Sequence, residues 1–128
     1  MIQLTIEQSF EFYLSSLKRC GFHLLELTND EIYYQIFDEF ATEYPASLSE
    51  YTLERLENEG RITSTIRELS KMLQERLLKV DNTLQWNVDS LRASKEWQEI
   101  LYLSDEIKKL VYRYSRDVWG IELENNPD

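Results

Sequence analysis

The sequence predicts an all-α protein: a single compact bundle of about five or six helices with a long C-terminal helix. Two observations lead to this prediction. The chain has only three glycines and two prolines in 128 residues, so few positions force it to break. Its apolar residues recur at steps of three and four over long stretches, which is the period of an α-helix. The length suits one domain, so we expect residues 1–128 to fold as a single helical unit.

The longest periodic stretch runs from Ser94 to Gly120 and predicts one continuous helix. Ser94 suits the N-cap, and Gly120 suits a left-handed stop. The residues on its apolar face are Trp97, Ile100, Leu101, Ser104, Ile107, Val111, Tyr114 and Val118. At 1.5 Å per residue such a helix is about 36 Å long, enough to cross a small domain. We therefore expect it to be the most buried element.

The N-terminal residues predict a first helix that begins at Thr5 and ends at Gly21. Thr5 and Gln8 have the spacing of a capping box, and glycine commonly ends a helix. The predicted buried face consists of Ile6, Phe10, Tyr13, Leu14 and Leu17. The next residues, 22–27, are compatible with a buried turn of helix or an extended connector, and we expect a short helix.

A second capping box, Thr28 with Glu31, predicts a helix that Pro45 ends at or before Tyr44. Its predicted inward face consists of Ile32, Tyr33, Ile36, Phe37, Phe40 and Tyr44. Another helix is expected to start near Ser47 or Ser49, to pack through Leu48, Leu53 and Leu56, and to stop at Gly60.

The second half of the chain predicts a helix from about Ser64 to Val80, followed by a connection over residues 81–83. Residues 84–91 fit a short helix or an irregular segment. The polar tail, residues 122–128, is expected to fray.

The charge of the chain is strongly negative and unevenly distributed. The formal net charge is −10, which argues against binding to a nucleic-acid backbone. Residues 20–60 contain ten acidic residues and a single basic one, Arg55, for a net charge of −9. Nearly all the excess charge therefore lies in one third of the sequence.

The sequence also indicates a cytoplasmic protein without a membrane span. No apolar run approaches 18 residues, and the first residues lack the basic and apolar regions of a signal peptide. Cys20 is the only cysteine, so no internal disulfide is possible, which suits a reducing compartment.

The shortage of histidine and cysteine argues against metal binding and catalysis. Cys20 and His23 have a spacing that two metal ligands could share, but a structural zinc site needs four ligands. The chain contains no other Cys or His, no Glu-x-x-His pair and no glycine-rich phosphate loop. We expect no metal, no cofactor and no enzymatic activity.

The acidic third predicts a surface for a basic protein partner. A helical wheel turns Tyr34 outward between Glu31 and Asp38, and on the next helix Tyr51 is flanked by Glu50 and Glu54. Tyrosine is common at binding hot spots, and carboxylates around it attract Lys and Arg. The predicted partner-binding residues are Glu31, Tyr34, Asp38, Glu39, Glu50, Tyr51 and Glu54. The alternative is that both helix faces are simply solvated.

The run Asp30-Glu31-Ile32-Tyr33-Tyr34, with Asp38, Glu39 and Glu43 after it, resembles the acidic, double-tyrosine face of bacterial immunity proteins. This family neutralises nuclease toxins of the colicin and contact-dependent-inhibition kinds. The resemblance implies that a cognate toxin domain is bound tightly and blocked at or near its active site. Independently of it, we expect the free protein to be a monomer.

Two other classes stay open on the sequence alone. One is a polyanion-mimicking inhibitor of a host or phage defence protein, and the other is a non-catalytic subunit of a larger complex.

Overall fold

The computed structural model describes residues 3–123, and over these residues the chain is all-α with no strand. The α-helices are α1 (Ile6–Arg19), α2 (Asn29–Ile32), α3 (Ala41–Ser47), α4 (Glu50–Asn58), α5 (Ser64–Val80), α6 (Val88–Ala93) and α7 (Lys95–Trp119). A 3₁₀ turn (Phe22–Glu26) follows α1, and a π-helical segment (Tyr33–Phe40) joins α2 to α3. Residues 124–128 of the tail that is expected to fray lie outside the described range.

The helix ends follow the capping residues that the sequence predicts. Thr5 and Thr28 each form a capping box, with Gln8 and Glu31 respectively. Ser94 caps α7, and Gly120 ends it in the left-handed conformation with φ of 66°. The predicted helices over these residues are confirmed, and the short helix expected after α1 is of the 3₁₀ type.

Helix α7 lies at the centre of the bundle and packs against α1, α5, α6 and the 3₁₀ turn. Most of its predicted apolar face is buried, with Trp97, Leu101 and Val111 at 0% exposure, but Val118 near its end is 61% exposed, contrary to the sequence prediction. Helix α5 runs antiparallel beside it, and the guanidinium of Arg76 lies 2.6 Å from the Glu99 carboxylate across the pair. The predicted long C-terminal helix is thus confirmed, and it contributes more buried residues than any other described helix.

The helix that starts at α2 does not stop at Tyr44, contrary to the sequence prediction, but continues through Pro45 to Ser47. Proline lacks the N–H that would bond within the helix, its ring crowds the carbonyl of the residue four before it, and it disfavours helix in the preceding residue. Phe40, Tyr44 and Leu48, spaced four apart, are all fully buried. Their burial in the core keeps the chain helical past the proline.

Gly21 follows the end of α1, but its backbone is not left-handed. Its φ is 165°, which is extended backbone that any residue adopts. A Cβ at this position would overlap Asp105 Oδ1 and would lie 2.6 Å from Lys108 Nζ. Glycine is favoured here because a Cβ would displace the charged ends of the Asp105 and Lys108 side chains, and not because the helix needs a left-handed stop.

Side-chain contacts between distant segments hold the outer elements in place. The guanidinium of Arg92 donates to Asn29 Oδ1 and to the carbonyls of Leu25 and Leu27, which joins α6 to the 3₁₀ turn and the start of α2. The hydroxyl of Tyr44 donates to Asp81 at 2.7 Å, which joins α3 to the end of α5. The continuous helix from α2 to α3 is therefore fixed at both ends.

Candidate protein-binding surface

The π-helical segment presents two adjacent tyrosines to solvent. Tyr33 is 60% and Tyr34 is 51% exposed. The outward position of Tyr34 agrees with the helical wheel, whereas the sequence predicts Tyr33 on the inward face. A π-helix holds more residues per turn than an α-helix, so a wheel drawn at 3.6 residues per turn misplaces side chains here. Sequence reasoning misses Tyr33 as a surface residue because no sequence signal marks the π segment.

The ring of Tyr33 is supported by the aromatic core beneath it. It packs on Phe37 with ring centroids 6.1 Å apart, and Phe37 in turn contacts Trp86 and Trp97 at 5.2 Å and 5.8 Å. Tyr33 is thus an exposed aromatic side chain on a rigid base.

Carboxylates surround these two tyrosines. Asp30, Glu31 and Asp38 are exposed, and among the described residues none of them is in an ion pair. Glu31 accepts a hydrogen bond from the backbone N–H of Thr28, which lowers the pKa of its carboxyl and keeps it charged. We call this set, Asp30, Glu31, Tyr33, Tyr34 and Asp38, the tyrosine–carboxylate surface.

The other acidic residues of this helix point toward α1 and are engaged there. The guanidinium of Arg19 lies 3.8 Å from the Glu39 carboxylate and 3.1 Å from that of Glu43. It also donates to Gln35 Oε1 at 2.9 Å. Glu39, one of the predicted partner-binding residues, is thus in an internal ion pair, and Gln35 is half-buried.

The second predicted group, Glu50, Tyr51 and Glu54, is exposed on α4. The Tyr51 hydroxyl accepts a hydrogen bond from Gln3 Nε2, and the Arg55 guanidinium lies 5.8 Å from the Tyr51 ring centroid. Glu50 lies 3.7 Å from the Arg67 guanidinium. We call these three residues the α4 patch.

The two groups lie toward opposite ends of α1. Tyr51 contacts Gln3 before the start of α1, whereas Gln35, next to Tyr34, contacts Arg19 at its end. A helix of 14 residues is about 21 Å long. A standard protein interface of about 800 Å² per partner is about 30 Å across, so this distance alone does not place the groups in separate interfaces.

Cys20 and His23 lie beside buried charged groups of α7. The ammonium of Lys108 donates to the Cys20 carbonyl at 2.7 Å and lies 3.1 Å from Asp105, whose other oxygen accepts from the Phe22 N–H. Burial raises the pKa of the Cys20 thiol to about 11. Burial, with Lys108 nearby, lowers the pKa of His23. A buried, protonated thiol is a poor nucleophile, so the cluster serves to anchor the 3₁₀ turn on α7.

Within the described part of the chain, no three Cys, His, Asp or Glu side chains converge in a way that could hold a metal ion. Nor is any of the helices over residues 3–123 long and apolar enough to span a bilayer.

The fold and this surface define an all-α helical bundle with an acidic, tyrosine-bearing helix face. Comparison with family models, with curated proteins and with solved structures found no significant match. The residues of the chain itself are therefore the basis for inferring what it does.

Proposed function

We propose that this protein is an acidic inhibitor that binds a basic protein partner and acts by association, without catalysis. The observation that carries the proposal is the tyrosine–carboxylate surface. Two neighbouring tyrosines are more than half exposed there, beside three carboxylates that no basic side chain of the described residues neutralises. Such a surface leaves both aromatic contacts and negative charge available to a partner.

The local structure supports a binding role for this surface over a merely solvated one. π-helical turns are rare and occur frequently at functional sites. Hot spots are enriched in tyrosine, and a side chain held in place before binding loses less entropy in the complex. Tyr33 meets that condition because its ring already packs on Phe37.

The proposed partner is a cognate basic toxin domain, a nuclease, blocked at or near its active site in the cytoplasm. A nuclease needs a positive surface to hold its polyanionic substrate, and that surface is complementary to residues 20–60 with their net charge of −9. The resemblance of residues 30–34 to the face of immunity proteins points the same way.

A non-catalytic mode of action is supported by the surroundings of the only cysteine. Cys20 is completely buried with a raised pKa, so its thiol stays protonated and closed to a substrate, and it accepts a hydrogen bond from Ser104 Oγ at 3.1 Å. A biochemical activity of the pure protein that is abolished in His23→Ala would contradict this part of the proposal.

The test is capture of the partner from the native organism followed by titration with surface variants. We expect Tyr33→Ala and Tyr34→Ala each to weaken binding by about 2 kcal/mol or more, as at a hot spot. Asp38→Lys should mainly slow association, and the effect should shrink at high salt. Tyr51→Ala tests whether the α4 patch belongs to the same interface.

The control is Leu78→Ala, an apolar side chain on α5 that is 53% exposed and lies outside the tyrosine–carboxylate surface. If Tyr33→Ala, Tyr34→Ala and Asp38→Lys bind the partner as tightly as Leu78→Ala does, the tyrosine–carboxylate surface is only solvated and the proposal is wrong. A captured defence protein in place of a toxin would instead favour polyanion mimicry through the same surface.

A further inference from the structure

A groove lies between the antiparallel helices α5 and α7 and shares no residue with the tyrosine–carboxylate surface. It contains a depression of about 550 Å³ near Leu84 and Ile100 and another of about 460 Å³ near Met72 and Tyr102. Arg76 and Glu99 line both, so the two depressions are neighbours along one groove with this ion pair between them. We call it the α5–α7 groove.

Large apolar side chains along this groove are exposed. Leu84 is 96% exposed, Tyr102 is 59%, Met72 is 41%, and Phe22 from the 3₁₀ turn is 38%. A row of apolar groups rimmed by polar side chains is the pattern of an interaction site, whereas single exposed apolar residues need no explanation. Leu84 in particular projects from the turn after α5 and has almost no contact with its own chain.

The charges on this face differ from those on the rest of the acidic molecule. Six charged side chains line the groove, three of each sign: Glu75, Arg76, Lys79, Lys95, Glu96 and Glu99. Arg76 and Glu99 pair with each other. Among the described residues, the remaining two lysines and two glutamates are in no ion pair. The groove therefore presents two free positive and two free negative groups around an apolar centre.

We propose that the α5–α7 groove is occupied by the same groove of a second copy of this chain, related by a two-fold axis. In a two-fold interface each contact occurs twice, because residue i of one copy contacts residue j of the other and residue j of the first contacts residue i of the second. The two free lysines of each copy can therefore pair with the two free glutamates of the other. Two molecules of net charge −10 repel each other through most faces. On this face positive and negative side chains are equal in number, and Leu84 of each copy can enter the depression near Ile100 of the other.

This proposal departs from the monomer that the sequence predicts, because the sequence does not show that the exposed apolar residues of α5, α7 and the two turns meet in one groove. It does not depend on the proposed function, since its test uses the pure protein alone.

The test is the molar mass in solution, measured by sedimentation equilibrium from about 1 μM to about 1 mM, which brackets the usual dissociation constants of weak dimers. We expect the mass to rise from that of the 15.4 kDa chain to twice that value. Leu84→Glu and Tyr102→Glu should each weaken the dimer at least about tenfold, or about 1.4 kcal/mol. Leu78→Glu is the control, since it makes the same Leu-to-Glu substitution at a position on α5 that is 53% exposed and lines neither depression.

A charge exchange tests the symmetric pairing itself. A double variant Lys79→Glu with Lys95→Glu, and a second double variant Glu75→Lys with Glu96→Lys, should each be monomeric when alone. Mixed in equal amounts they should form a heterodimer, because one groove then carries only negative free charges and the other only positive ones.

A parent protein that stays at 15.4 kDa over the whole range would overturn the proposal. It would be overturned equally by a dimer that Leu78→Glu weakens as much as Leu84→Glu, or by double variants that do not associate on mixing.

Discussion

At the scale of single residues, two glycines are needed for different reasons: one for its backbone conformation and the other for the space beside it. Gly120 needs its positive φ and has open space where a Cβ would lie, whereas Gly21 has an ordinary extended φ but no space. The space is occupied by the carboxylate of Asp105 and the ammonium of Lys108, which together fix the chain after α1.

We expect Gly21→Ala to lower the free energy of unfolding by about 1–3 kcal/mol, as overpacking does, because Asp105 and Lys108 must move. Gly120→Asn should cost only a few tenths of a kcal/mol, because asparagine tolerates the left-handed conformation. Urea denaturation of both variants checks this. Equal midpoints for the two would show that space at Gly21 is not limiting.

The Cys20 thiol leads to a prediction for alkaline pH. Its pKa is raised from 9.0 to about 11 in the folded protein, so the unfolded chain loses its proton first as the pH rises. The contribution of the thiol to stability is therefore complete below pH 9 and is lost between pH 9 and 11. The free energy of unfolding of the parent should fall over this range more steeply than that of Cys20→Ala.

The same burial should protect the thiol from reagents. At about pH 8, below the ordinary thiol pKa, we expect an aromatic disulfide reagent to react with native Cys20 much more slowly than with the urea-unfolded chain. Equal rates would show that the thiol is accessible in the folded state.

Among the helical elements, α7 and the π segment differ in how directly the sequence encodes them. Helix α7 has a cap at each end and an uninterrupted apolar period, and the residues of that period are buried up to the last turn, where Val118 is exposed. The π segment has no such signature, since its residues read as an ordinary amphipathic helix. The π segment changes which side chains face solvent, as the exposed Tyr33 and the internally paired Glu39 show.

In α7, Leu101→Ala should destabilise the protein by about 2–4 kcal/mol, because a completely buried leucine leaves a cavity in a rigid core. Val111→Ala should cost less, since it removes fewer atoms. The matched control is Val118→Ala, the same substitution at a position that is 61% exposed. If Val111→Ala and Val118→Ala shift the denaturation midpoint equally, α7 is not the centre of the core.

In the molecule as a whole, Arg61 joins the two ends of the described chain. It follows α4, its side chain is only 6% exposed, and its guanidinium lies 4.3 Å from the Phe10 ring centroid and 4.8 Å from that of Trp119. It also pairs with Glu7 at the start of α1. The Trp119 indole N–H meanwhile donates to the Gly60 carbonyl, so α1, α4 and α7 meet at this point.

We expect Arg61→Ala to cost about 1–3 kcal/mol, since it removes two cation–π contacts of about 0.5–2 kcal/mol each. Arg61→Lys should recover only part of the loss, because an ammonium cannot stack its plane on two rings. Arg113→Ala, an exposed arginine on α7, serves as the control and should change stability by less than about 0.5 kcal/mol. Full recovery in Arg61→Lys would show that charge alone matters.

Local patterns in the chain are sufficient to predict the fold class and most helix ends. These patterns are the apolar period, the capping residues and the scarcity of helix breakers, and all three are local in the chain. They predict the folded structure because each helix buries the face that its apolar period defines. The caps at Thr5, Thr28 and Ser94 are examples. The positions of Tyr34 and Tyr51 on the surface are predictable for the same reason.

The packing of the helices decides instead which charged side chains stay unpaired and which apolar side chains stay uncovered. Arg19 of α1 pairs with Glu39, and the Asp105 and Lys108 side chains of α7 occupy the space beside Gly21. The core carries the helix past Pro45, and α5 and α7 bring Leu84 and Tyr102 to one groove. Each of these features requires contacts between residues distant in the chain. A helical period specifies which face of a helix is buried, but it contains no information about which other helix covers that face.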